Sequence, residues 1–158
     1  MSTTPDPAPE LTFQVAARIA RPVHEVFEAV VDPATLSRYF TTGGAQGRLE
    51  TGATVQWEFA DFPGAFPVHV VEVVPDARVV LRWEGADDGG PAYETTVTMT
   101  FDALEDGRTL VTVAESGWRA NDAGRKASYS NCEGWTHMLC AMKAWVEHGV
   151  DLRTGFYV

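Results

Sequence analysis

The sequence predicts an α+β fold: a curved antiparallel sheet of about six or seven strands wrapped on one long C-terminal helix, with two short helices after the first strand. Three observations carry this. In residues 128–149 (SYSNCEGWTHMLCAMKAWVEHG), Cys132, Trp135, Leu139, Met142 and Val146 recur three and four apart, which is one helical face. Met138 and Trp145 widen that stripe to the breadth of a helix buried against something large. Upstream of about residue 120 the apolar residues recur with period two, as in strands with one buried face. The connections between these runs are short, which makes the sheet antiparallel. A curved sheet gripping a long helix leaves a space between them.

The elements follow in order. Residues 1–10 lack periodicity and read as a mobile tail, and 11–158 as a single domain. In 11–19, Phe13, Val15, Ala17 and Ile19 alternate with polar neighbours, a strand buried on one face. Pro22 opens a helix striped by Val23, Val26, Phe27 and Val30, which Asp32-Pro33 breaks. Residues 34–40 form a second short helix with Leu36, Tyr39 and Phe40 inward. TTGGAQG is a flexible connector, 48–50 a brief strand, and Thr51-Gly52 a turn. Val55, Trp57 and Phe59 alternate in the next strand, and 61–67 is a loop carrying Phe62 and Phe66. Residues 68–74 form a strand, followed by one with Val79, Leu81 and Trp83 inward. After the polar GADDGGP loop, Tyr93, Thr95, Val97, Met99 and Phe101 face in, and 109–116 return antiparallel. Gly149 ends the long helix with a left-handed residue, and Val150 closes the accompanying hydrophobic contact.

Charge and composition exclude several partners. The formal net charge of −10 repels phosphate backbones and anionic lipid, so neither nucleic acid nor a membrane surface is expected. No apolar run reaches the roughly 18 residues that span a bilayer, and the N-terminus lacks a signal-peptide pattern. Cys132 and Cys140 lie about 12 Å apart along the helix axis, too far for a disulfide. A reduced, cytoplasmic protein is the expectation.

The opening ARIARPVHEVFEAVVDPATLSRYF resembles the start of SRPBCC (START/Bet v 1-like) domains. The segments VVEVVPDARVVLRWEG, TLVTVAESGW and GWTHMLCAMKAWVEHGVDLR resemble, more narrowly, the Activator of Hsp90 ATPase homologue 1-like (AHSA1) branch. The resemblance covers about residues 11–153 and implies the helix-grip fold, with a cavity closed by the C-terminal helix. Proteins of this shape bind lipids, hormones or polyketides, and a minority catalyse. The eukaryotic co-chaperone carries a further N-terminal domain for which this chain has no room, so Hsp90 is not an expected partner.

No metal-ligand spacing, nucleophile elbow, phosphate loop or dinucleotide fingerprint occurs, and no cofactor or metal is expected. In 68–74, the parity that puts Glu72 in solvent puts His69, Val71 and Val73 inside. His69 is then either a strand-end histidine bonded to backbone or water, or a polar group aimed into the cavity. Glu115 faces in if Val111 and Val113 do. A buried carboxylate needs a partner, for which Tyr93, Tyr129, Arg119 and His69 are candidates; at an open strand end it is simply solvated. The expected ligand-binding set is Trp57, His69, Val71, Trp83, Tyr93, Thr95, Glu115, Trp118, Tyr129, Trp135, Met138 and Met142. The tryptophans and tyrosines offer apolar faces with one polar handle each, and the methionines adaptable packing.

Three functions compete on these residues. The first is binding of a small hydrophobic or aromatic ligand between sheet and helix. The second is a polyketide cyclase or dehydratase using the same cavity, for which His69 with Glu115 is the one acid–base pair available. The third is a co-chaperone-like interaction through the outer sheet. Phe62, Phe66 and the terminal Phe156-Tyr157-Val158 are the candidate surface of a homodimer.

Overall fold

The computed structural model describes residues 3–6 and 9–158. The tail expected at 1–10 therefore falls partly outside the described residues. The chain runs β1 (Thr12–Ile19), α1 (Val23–Val31), α2 (Pro33–Tyr39), β2 (Gly44–Gln46), β3 (Thr54–Phe59), β4 (Phe62–Val74), β5 (Arg78–Glu84), β6 (Glu94–Ala103), β7 (Thr109–Ser116) and α3 (Asp122–His148). One seven-stranded sheet, ordered β1-β7-β6-β5-β4-β3-β2, is antiparallel throughout. With the long α3 and the two short helices after β1, this is the helix-grip arrangement.

Alternation decides which face each strand buries. Val55 and Trp57 of β3, Val79 and Leu81 of β5, Val97 and Met99 of β6, and Val111 and Val113 of β7 are all buried. They meet Trp135, Met138, Leu139, Ala141 and Met142 from α3. Leu139→Ala should lower stability by about 2–5 kcal/mol, because the site is closed on all sides and cannot collapse onto the deleted atoms. Urea unfolding measures it, and a loss under about half a kcal/mol would mean the helix presents another face.

Local chemistry sets the helix ends. Asp32 ends α1 and caps α2, its carboxylate accepting from Thr35 N at 3.2 Å and Thr35 Oγ1 at 2.7 Å. Asn121 caps α3 by accepting from Gly124 N at 2.8 Å, so the helix starts six residues before the expected Ser128. Gly149, at φ 65°, closes α3: its N–H reaches Trp145 O at 2.8 Å, and Val150 N reaches Ala144 O at 3.2 Å. Val150 is about half exposed there, at 52%.

Three expectations are corrected. The brief strand lies at Gly44–Gln46, inside the expected connector, and residues 48–50 are not a strand. The chain enters β2 hard against β3, with Gly43 N donating to Glu58 O at 2.9 Å. A Cβ on Gly43 would stand 2.6 Å from the Glu58 side chain, so that approach requires glycine. The expected loop 61–67 is instead the first half of β4. It pairs with β3 on one side, whereas pairing with β5 begins only at His69, so Pro63 and Pro67 are tolerated beside an open edge.

The third correction concerns His69 and Val71. A bulge between Val70 and Glu72 adds a residue to β4, and an added residue reverses facing. Parity read from Glu72 therefore holds for Val73, which packs on the core, and fails upstream of the bulge. Val68 and Val70 are buried, while His69 and Val71 point out.

Candidate functional site

Glu115 is the last inward position of β7, and it is only 1% exposed. Its register partner on β6 is Val97, which places it beside Thr95. Trp83 Nε1 and Thr95 Oγ1 donate to Glu115 Oε2 at 2.9 and 2.7 Å. From α3, Trp135 Nε1 donates to Oε1 at 2.8 Å, and Asn131 Nδ2 approaches both oxygens at 3.0 and 3.2 Å. An indole or amide N–H can only donate, so this set is built around a carboxylate whose two oxygens both accept. The buried carboxylate is satisfied by neutral donors, with no cationic partner among the described residues. The solvated alternative is thus overturned, and so are the expected partners Tyr93, Tyr129, Arg119 and His69.

Three of the donors that hold Glu115, Trp83, Asn131 and Trp135, line a cavity of about 350 Å³ between the sheet and α3. Aromatic rings wall it. Phe40 lies 5.2 Å from Trp135 and 5.1 Å from Phe59 between ring centroids, and Trp83 lies 5.4 Å from Trp135. Met138 completes the apolar lining. Gly134 borders the space as well, and a Cβ built on it would touch nothing within 4 Å. A glycine in mid-helix lowers helix stability; here it leaves the helix backbone open to the cavity. Ser130, Asn131 and Glu133 supply polar edges from the same helix.

The far wall comes from the segment after α3. Arg153 is buried and pairs bidentately with Asp61, both N···O distances being 2.6 Å. Those hydrogen bonds hold the Asp61 carboxyl below the usual carboxylate range. The guanidinium stacks 4.8 Å over Tyr157, whose hydroxyl is 2.9 Å from His137 Nδ1. Phe156 packs on His137 at 4.2 Å, and Phe62 on Tyr157 at 5.6 Å. Phe62 lines the cavity with Tyr157 and is 57% exposed.

Of the expected ligand set, Trp83, Trp135 and Met138 line the cavity. Thr95 and Glu115 sit behind its wall, and Trp57 backs Trp83 at 6.0 Å. Met142 is buried deeper in the core. The rest do not join them. Tyr129 is 67% exposed, since it falls on the solvent side of α3. Trp118 is buried against Phe13, at 5.5 Å. Tyr93 precedes β6 and carries the Arg119 guanidinium 4.4 Å over its ring. With His69 and Glu94 it lines a separate shallow depression, where His69 Nε2 is 3.4 Å from Glu94 Oε2. His69 and Glu115 therefore do not form an acid–base pair.

Sequence reasoning missed Phe40, Phe59 and His137 as cavity walls, and Asn131, Gly134 and Arg153 altogether. One signal was available: Asn131, Gly134, Trp135 and Met138 follow the three–four spacing of a single helix face. Nothing in the sequence marks Arg153 and Asp61, 92 residues apart, as partners.

The sequence model of the Activator of Hsp90 ATPase homolog 1-like protein family matches residues 20–147. Among solved structures, DynU16, a protein in the dynemicin biosynthetic locus, is similar with a TM-score of 0.74 at 27% identity. That match covers 92% of this chain and 50% of the other, so the chain spans about half of DynU16. The Aha1 dimer from Colwellia psychrerythraea gives a TM-score of 0.69 at 19% identity, covering 87% of this chain and 97% of that one. CalU16 from Micromonospora echinospora gives 0.65 at 19%, covering 87% and 77%. These last two likenesses are of fold. No curated protein matches the chain.

Proposed function

The chain belongs to the Activator of Hsp90 ATPase homolog 1-like family, and from that premise we propose that it is a binding protein enclosing a small aromatic molecule between the sheet and α3. The observation that carries this is the cavity of about 350 Å³ walled by Phe40, Phe59, Trp83 and Trp135. It falls in the size range of small-molecule sites, which are mainly apolar with a few polar groups to fix orientation. The bare helix backbone at Gly134 supports the reading, since a space kept open at the expense of helix stability is a space with a use. The likeness to a protein of a biosynthetic locus favours a small molecule over a protein partner.

The neutral dye N-phenyl-1-naphthylamine should bind saturably, with a dissociation constant below millimolar. Gly134→Leu tests the location. A side chain there projects into the cavity, while leucine is the better helix former by about 0.8 kcal/mol. The variant should keep or gain thermal stability and lose the dye. Dye binding unchanged in Gly134→Leu, or no saturable binding to the wild type, would overturn the proposal. Thr95→Phe is a poorer block, because Thr95 is buried against Glu115 and its replacement would disturb the fold.

A further inference from the structure

The geometry points to an organic cation, an aromatic or aliphatic amine in its ammonium form, as the class of ligand this cavity takes. This rests on the cavity being a binding site, and it adds the ligand's charge.

The first ground is which hydrogen-bonding groups the wall has left. Trp83 Nε1, Trp135 Nε1 and Asn131 Nδ2 all donate to Glu115, behind the wall. The two indole N–H groups and one N–H of the Asn131 amide are therefore turned away from the space they border. What remains towards the cavity is the π faces of the indoles, with the Asn131 carbonyl oxygen, the Ser130 hydroxyl and the Glu133 carboxylate along one edge. Such a wall is rich in acceptors and meets positive charge, with the Ser130 hydroxyl able to donate as well.

The second ground is charge. Glu133 lines the cavity, Glu115 lies one ring-layer behind it, and Asp61 stands against Arg153, the guanidinium in the wall. The bidentate pair at 2.6 Å nearly cancels Asp61 against Arg153, which leaves the two glutamates uncompensated. The features that favour an anion are the remaining N–H groups of Arg153, the Ser130 and Tyr157 hydroxyls and the His137 ring.

The third ground is polarisation. An indole whose N–H donates to a carboxylate carries more electron density on its ring, because linked hydrogen bonds polarise one another. Trp83 and Trp135 are both in that state, 5.4 Å apart and tilted by 32°. A desolvated cation over tryptophan gains the strongest of the cation–π attractions. At a net charge of −10, the whole molecule also draws cations towards it.

Three probes of one shape separate the possibilities: 2-naphthylmethylammonium, 2-naphthalenemethanol and 2-naphthoate, titrated calorimetrically at neutral pH and low salt. The cation should bind about tenfold more tightly than the alcohol, and the anion most weakly. Glu133→Gln, a change at an exposed position of α3, should reduce the cation's advantage over the alcohol by about threefold. Added salt should narrow the gap between cation and alcohol. Alcohol or naphthoate binding as tightly as the cation overturns this inference and leaves the cavity reading standing. Failure of all three probes to bind overturns both.

Discussion

Glu115→Leu is expected to lower the unfolding free energy by about 3–5 kcal/mol. The side chain is enclosed, and its loss strands the indole N–H groups of Trp83 and Trp135 and the Asn131 amide without an acceptor. Each buried unsatisfied donor costs about 1–3 kcal/mol. Glu115→Gln keeps the shape and should still destabilise. Each carboxylate oxygen accepts from an indole, so either orientation of the new amide sets donor against donor. Adding Trp83→Phe and Trp135→Phe to Glu115→Leu should recover part of the loss, because removing both sides of a hydrogen bond leaves nothing unpaired. Urea unfolding with an unchanged m-value is the measurement. A loss under about 1 kcal/mol in both single variants would mean that the cluster does not hold the sheet to α3.

Arg153→Leu is expected to free the segment after Gly149 from the body of the protein. The substitution leaves Asp61 buried without its partner, an effect of about 3–5 kcal/mol where the charge cannot reach water. A terminal segment can relieve that penalty by undocking. The result should be rapid hydrogen exchange and protease cleavage in 150–158 while α3 stays protected. The double variant Asp61→Leu/Arg153→Leu should dock nearly as the wild type does, since an apolar pair of similar volume replaces the ionic one.

The pair also sets a pH dependence. Arg153 holds the Asp61 carboxyl below its ordinary range. A carboxylate whose pKa is lower folded than unfolded contributes stability that is complete above the unfolded value, near 3.9 for aspartate. That contribution is lost as pH falls through the folded value. Docking of the wild-type segment should therefore weaken in acid below about pH 4, and docking of the double variant should not. Equal acid sensitivity in both would show that the pair is not what holds the segment.

Secondary structure was legible wherever one face of an element is buried and the other wet. Phe13, Val15, Ala17 and Ile19 alternate, as do Val97, Met99 and Phe101, and both runs lie on the faces their alternation predicts. Trp135, Leu139 and Met142 fall on one side of α3 for the same reason, applied to a period of 3.6. Alternation along β7 also placed Glu115 inside, although its partners were not readable. In β4 the signal failed because VHVVEVV has valines on both parities. A bulge, which composition does not announce, then decided where His69 points.

The sequence by itself determined the strands and helices, the core face of α3 and the inward Glu115, because each depends on neighbours within one element and on a repeating period. The helix-grip fold was legible through resemblance to a known family. Tertiary structure alone decided that Glu115 would be answered by Trp83, Asn131 and Trp135, and that Arg153 would pair with Asp61 in the cavity wall. Those contacts join residues tens of positions apart, and their geometry is set by strand register, a bulge and the path of the chain after Gly149. No local spacing encodes them, so a space between sheet and helix was expected from the sequence, but most of the residues that wall it were not.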